Sequence, residues 1–171
     1  MRKPFAAFCM TLLLVVAGAV LSLAQSSSSH QHAGGHSIVA PDQVKWGPAP
    51  PALPPGAQAA IIDGDPGTAG MFTIRLKFPD SYGVPPHSHP TDEHVTVLSG
   101  TLMVGHGSKL DAGSMKPLAT GGYAKMAKGM DHYVRAQGET TVQVSGMGPF
   151  QLKYANPADD PRQKTAEGKK E

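Results

Sequence analysis

His87 and His89 stand two residues apart, and Glu93 follows four residues later, in the segment Pro85-Pro86-His87-Ser88-His89-Pro90-Thr91-Asp92-Glu93-His94. In an extended chain an i, i+2 pair points to one face with Cα atoms roughly 6.6 Å apart. That separation lets two imidazoles converge on one ion through bonds of roughly 2 Å. On a straight strand Glu93 would lie too far along. Pro90 cannot continue a ladder and favours a bend, so the chain can turn at Pro90 to Asp92 and return Glu93 as an oxygen ligand. Glu93, Val95 and Val97 share one parity. Valines of that parity suit a barrel interior, and an interior carboxylate without a partner is costly, a cost that a cation relieves. His94 has the opposite parity and is expected outside or in an interface. Taken singly, each histidine would be an exposed loop residue; the pair followed by Glu at this spacing points to a metal.

The surrounding elements are strands and turns. Phe72, Ile74, Leu76 and Phe78 alternate with Thr73, Arg75 and Lys77, the pattern of a half-buried strand. Ile61-Ile62 precede the turn cluster Asp63 to Gly67. Ser99-Gly100 reads as a turn leading into Thr101 to Val104. Tyr123 to Ala127, Thr140 to Val144 and Phe150 to Tyr154 are further short strands. With Gly- and Pro-rich connections this spacing predicts an all-β sandwich or barrel. No amphipathic helix is apparent. The Pro-rich stretch Trp46 to Gly56 can form neither a helix nor a central strand, and it is expected to run extended over the surface with Trp46 as an anchor.

The chain has 171 residues, a net charge of +2, 16% charged residues and one cysteine. That length suits one domain. The charge balance lacks the basic excess of a nucleic-acid binder, and one cysteine excludes an internal disulfide or a multi-cysteine zinc site. Residues 1–24 read as a secretory signal: Arg2 and Lys3, then an apolar run from Phe5 to Leu23, then Ser22 and Ala24 as small residues before a cleavage point. The competing reading is an uncleaved anchor, since the run approaches the roughly 20 residues that span a bilayer. Cleavage after Ala24 removes Arg2, Lys3 and Cys9 and no acid, so 13 basic residues face 13 acidic ones in a neutral, cysteine-free chain. A periplasmic or secreted location follows, without membrane contact after cleavage. Residues 25–58 are expected to be a flexible His- and Ser-rich, then Pro-rich segment, with 59–155 as the domain and 156–171 as a polar tail. In the first of these, His30, His32 and His36 could bind metal loosely.

These residues resemble the cupin superfamily. Its first motif is a His-x-His, three or four residues, a Glu, six residues and a Gly. His87-Ser88-His89, Glu93 and Gly100 reproduce it. The Gly usual six residues before the first His is absent; Ser81 stands there, with Gly83 nearby. In the second motif Gly121, Gly129 and His132 are kept, while its Pro and Asn are replaced by Ala127 and Ala136. The resemblance covers roughly residues 59–155 and is greatest to small single-domain secreted bacterial cupins. It implies a double-stranded β-helix, a jelly roll closed around a metal. The implied ligands are His87, His89, Glu93 and His132, the last promoted by the family spacing alone. Three imidazoles and a carboxylate suit a divalent Fe, Mn, Ni, Cu or Zn ion. Four protein ligands leave up to two octahedral positions open for substrate, water or O2.

Other signals stay bland. Gly105-His106-Gly107 and Gly146-Met147-Gly148 lack the context of a nucleotide loop. Met126 and Met130 could line the pocket or be core filler. Tyr82, Tyr123 and Tyr133 lie near the site without an assignable role. Asp92 could orient a ligand imidazole or be an exposed turn residue. Three functions stay open: a metal-dependent oxygenase or isomerase on a small organic molecule, a non-catalytic ligand-binding or sensor module, and metal scavenging by the His-rich segment. The resemblance also allows a homodimer through the outer face near Leu98.

Overall fold

Phe72, Ile74, Leu76 and Phe78 are buried and the residues between them half-buried, so the alternation in the sequence becomes one inward face of a nine-residue strand. The computed structural model describes residues 36–163. Its strands are β1 (Gly47–Pro48), β2 (Gln58–Asp63), β3 (Gly70–Phe78), β4 (Gly83–Ser88), β5 (Glu93–His106), β6 (Lys116–Ala119), β7 (Tyr123–Met126), β8 (His132–Gly148) and β9 (Lys153–Tyr154). All pairings are antiparallel, in the order β1-β2-β3-β8-β4-β9, with β5 against β8 and carrying β6 and β7.

Two long strands close this sheet. β8 borders β4 with its first residues, β3 with its last nine, and β5 along most of its length. Strands that serve two partners in succession twist and roll the sheet up. The result is the expected all-β jelly roll, with Phe72, Val84, Val97, Leu102, Val142 and Val144 among the side chains filling it. The stretch expected to be a signal, residues 1–24, and His30 and His32 lie outside the described residues. Among those described, no helix is long and apolar enough to cross a membrane.

Ser99-Gly100 is not a turn. β5 continues through it to His106, and the register against β8 shifts on either side of Ser99. Gly100 takes a φ of +79°, and a Cβ there would lie 2.4 Å from the Glu139 carbonyl oxygen. The site is a β-bulge, and its extra residue moves the buried parity from Glu93, Val95 and Val97 to Leu102 and Val104. Local residues signalled a reversal; pairing with β8 on both sides keeps the strand running.

Ser81 fills the missing glycine position in conformation as well as in sequence. It is the sole non-glycine among the described residues with positive φ, at 61°, in the turn closed by the Tyr82 N–H donating to the Pro79 carbonyl at 3.2 Å. A side chain in the left-handed region is strained by about 1–2 kcal/mol. Ser81→Gly is therefore expected to stabilise the protein by roughly 0.5–1 kcal/mol, since the relief exceeds the added chain entropy. Urea unfolding measures it, and an unchanged or lowered midpoint would refute the strain.

The Pro-rich segment does not run extended as expected: after β1 it loops back through turns, with the Leu53 N–H donating to the Pro50 carbonyl at 2.9 Å and the Ala49 N–H to the Ala57 carbonyl at 3.1 Å, and returns into β2. Trp46 lies under Lys77, whose Nζ sits 4.7 Å from the ring centroid. Leu53 and Ala49 pack on the core. The Tyr82 hydroxyl donates to the Pro54 carbonyl, and the Tyr154 hydroxyl donates to the Ala52 carbonyl at 2.8 Å. Burial raises the pKa of both phenols, that of Tyr154 to about 12 with help from Asp160, so both remain donors. Tyr82, just before β4, and Tyr154 of β9 thus strap this segment against the barrel.

Candidate metal centre

Antiparallel register sets His87 of β4 directly opposite His132 of β8. Beyond β4 the chain bends at Pro90 to Asp92, and β5 begins on Glu93. The bend is clamped: the Thr91 hydroxyl donates to the Met147 carbonyl at 2.9 Å, and Asp92 accepts the Lys128 N–H at 2.8 Å. Asp92 also pairs with Lys125 at 2.7 Å, and both contacts hold its carboxyl below the ordinary range. It is a turn residue that fixes the return of Glu93, and it touches none of the imidazoles.

His87, His89, Glu93 and His132 are all buried in one place. The ring centroids of the histidines lie 4.3 to 5.3 Å apart, and each ring offers a ligand nitrogen within 4.8 Å of the others. Glu93 Oε2 lies 3.1 Å from His132 Nε2 and 3.4 Å from His89 Nε2. The Nδ1 atoms face main-chain carbonyls: Pro85 for His87 at 2.7 Å, Gln151 for His89 at 2.8 Å and Met130 for His132 at 3.1 Å. A neutral imidazole that donates from Nδ1 has a lone pair on Nε2. Phe150 stacks on His89 at 4.1 Å and 15° and fixes its plane.

The donor set calls for positive charge at its centre. The Nε2 atoms of His89 and His132 are buried without a hydrogen-bond partner, and both face a carboxylate oxygen. Burial would raise the pKa of Glu93, but its contacts with His132 and His89 outweigh that and hold it below the usual carboxylate range. Protons on both Nε2 atoms would place two imidazolium ions in a closed pocket beside a third imidazole. One divalent cation satisfies all four groups, and the carbonyls behind each ring orient the ligands as metal sites require. The residues fit a divalent metal; the three buried histidines could hold one.

Burial, then the neighbouring His132 and His89, lowers the His87 pKa from 6.5 to about 3. The unfolded chain therefore binds more protons than the folded one between those values, and stability rises with pH across that window. Glu93, ionised when folded, contributes in the same direction. Metal-free protein is expected to lose stability as pH falls below about 6, with a slope approaching 1.4 kcal/mol per pH unit. Urea midpoints of chelator-treated protein across pH 4 to 8 test this; a flat profile would contradict it.

The site opens into a cavity of about 180 Å³. Aliphatic side chains of β3, β5 and β8 form its walls, with Met126 and Phe150, and the Pro-rich strap contributes Pro50, Ala52 and Leu53. Met130, by contrast, is exposed. His94 points outward as its parity predicts, with Nδ1 2.6 Å from the hydroxyl of exposed Tyr123. Tyr133 lies outside the barrel wall under the 111–114 loop, where its hydroxyl meets the Asp111 main chain and Ser114. Sequence reasoning missed the contribution of the strap and of Phe150, since neither carries a residue that signals chemistry. Gly121 and Gly129 take φ values of +82° and +72°, which explains why this stretch keeps its glycines while Ala127 and Ala136 stand in for other motif residues.

A nine-stranded antiparallel jelly roll with histidines from β4 and β8 turned into its cavity has the architecture of the cupin superfamily. Solved structures agree on the fold. A candidate acetylacetone dioxygenase from Methylibium petroleiphilum PM1 is similar with a TM-score of 0.58 and 22% identity, over 74% of this chain and 85% of that one. The polyketide cyclase RemF from Streptomyces resistomycificus gives 0.58 and 16%, over 77% and 94%. KdgF from a Halomonas species gives 0.52 and 20%, over 65% and 94%. The chain belongs to the family described as a domain of unknown function, DUF4437, which matches residues 37–166. No curated protein matches the sequence.

Proposed function

We propose that this chain is a metal-dependent enzyme of the bacterial cell envelope, an oxygenase or isomerase acting on a small organic molecule. The proposed ligands are His87, His89, Glu93 and His132, around one Fe, Mn, Ni, Cu or Zn ion. The observation that carries this reading is the convergence of three buried imidazoles and one carboxylate on an otherwise apolar cavity. A bound divalent ion supplies Lewis acidity and, where redox-active, one-electron chemistry. The protein's own part is positioning: the Pro85, Gln151 and Met130 carbonyls hold the rings, and the aliphatic walls exclude water. Among the described residues lining the cavity, Glu93 is the sole carboxylate and the one acidic group there that could carry a proton. Elemental analysis of the protein from its native compartment, followed by anaerobic addition of a substrate panel, tests the proposal. One equivalent of a redox-active metal whose spectrum responds to a substrate that is then converted is the expected result. An empty site, or a loaded site indifferent to the whole panel, would refute it.

Among the described residues the cavity has no ionisable side chain beyond those four, and this favours a second reading, a binding or sensor module with a structural metal. Tight capture of a ligand without turnover would support it. Scavenging by the segment containing His30, His32 and His36 predicts that deleting residues 25–36 lowers metal stoichiometry. For location, a mature N terminus at Gln25 in a periplasmic or secreted fraction is expected, and intact-mass measurement reads it directly. Light scattering tests for a homodimer through the face bearing Leu98, which is partly exposed.

A further inference from the structure

The cavity is divided in its chemistry. Of the side chains that line it, the four with polar atoms are His87, His89, Glu93 and His132, and they form one end. The rest of the lining is aliphatic, aromatic, Pro, Gly or Met, and among the described residues no Lys, Arg, Ser, Thr, Asn, Gln or Tyr side chain reaches it. The two nearby phenols are engaged elsewhere: Tyr82 and Tyr154 give their hydroxyl protons to strap carbonyls. We propose that the ligand of this cavity carries its polarity at one end. An oxygen-bearing head faces the histidines and Glu93, and an unsubstituted hydrocarbon body, near a benzene ring in size, fills the rest. This rests on the metal-centre reading and names the class of molecule that centre would receive.

Two magnitudes support the assignment. Each hydroxyl or charge on the body would be buried without a partner, at about 1–3 kcal/mol for a neutral group and far more for an ion. Three or four such groups exclude sugars, and a remote phosphate or carboxylate meets no cation. The volume of about 180 Å³ is slightly above the roughly 150 Å³ at which an apolar protein cavity stays dry and accepts benzene. The strap sets the far wall through Leu53, so it also limits length.

Three hydroxamic acids with one shared chelating head test this on zinc-loaded protein by calorimetry. Benzohydroxamic acid should bind about 10- to 100-fold more tightly than acetohydroxamic acid, the gain expected from burying a ring, and gluconohydroxamic acid more weakly than either. Leu53→Trp, on the strap rather than in the barrel wall, should abolish the benzohydroxamic preference and spare acetohydroxamic binding. Metal-free protein supplies an independent reading, because benzene should raise its melting temperature where glycerol at the same concentration does not. Zinc uptake with equal or inverted hydroxamate preference would overturn the ligand class and leave the metal centre standing. Failure to take up zinc would overturn the metal centre, and the benzene arm then decides the character of the cavity: no stabilisation by benzene overturns the proposal.

Discussion

Replacing His132 with alanine is expected to weaken divalent-metal affinity by about a hundredfold while leaving a folded barrel. Structural metal sites bind with apparent free energies of about 10–16 kcal/mol at neutral pH. Shared among four ligands, that is about 2.5–4 kcal/mol each, and every 1.4 kcal/mol is tenfold. The fold should survive for a reason visible in the site. His132 Nε2 is buried without a hydrogen-bond partner, and its ring is 4.3 Å from that of His87. Truncation leaves a void of imidazole size, which costs about 1–3 kcal/mol, but it also removes an unsatisfied nitrogen. The metal-free variant should therefore melt within several degrees of the metal-free parent, and the rise in melting temperature on adding metal should vanish. Glu93→Gln keeps the volume and removes the charge, so a smaller loss of affinity is expected. Metal titration followed by thermal unfolding and elemental analysis measures both variants. Parental affinity in His132→Ala would remove this residue from the ligand set.

His87, His89 and Glu93 were legible because strand geometry is local: a period of two places the imidazoles together, and the parity of Val95 and Val97 assigns Glu93 an inward direction. His132 lies 45 residues beyond His87 and reaches it through the pairing of β4 with β8, a non-local register that no pattern around His132 announces. A resemblance in spacing supplied it instead. The carbonyls behind the imidazoles were not legible at all, since they belong to Pro85, Met130 and Gln151 only as backbone, and any residue type would present the same atom. The bulge at Gly100 was misread as a turn because its residues are turn residues; what overrides them is the second strand beside them. The Pro-rich strap was legible as non-helical surface chain, but its reversal between β1 and β2 was not, and its place over the cavity depends on two tyrosine hydroxyls far away in sequence.

Gly105→Ala is expected to be among the most destabilising single-methyl additions to this protein, by about 3 kcal/mol, and to lower metal affinity as well. Gly105 of β5 faces Tyr133 of β8 in register, and the ring lies over the glycine. A Cβ at position 105 would lie 2.1 Å from Tyr133 Cε2 and 2.7 Å from its hydroxyl oxygen, far inside contact distance. The ring cannot swing away cheaply. Tyr133 is fully buried, and its hydroxyl is held by the Asp111 N–H and carbonyl, each at 3.1 Å, and lies 3.0 Å from the Ser114 hydroxyl. Either the ring leaves that network or the two strands separate; overpacking usually costs 1–3 kcal/mol, and the lost hydrogen bonds add to it. Tyr133 is the neighbour of His132, so a displaced β8 backbone carries the imidazole with it, and a tenfold loss in metal affinity is expected from a shift of that kind. The Gly105→Ala, Tyr133→Ala double variant separates the causes. If the clash is the mechanism, the alanine at 105 should cost less than 1 kcal/mol once the ring is gone, giving a coupling energy of about 2 kcal/mol in a double-mutant cycle. Additive losses would mean that position 105 matters for its backbone alone, and unchanged metal affinity in Gly105→Ala would uncouple this glycine from the histidine across the strand.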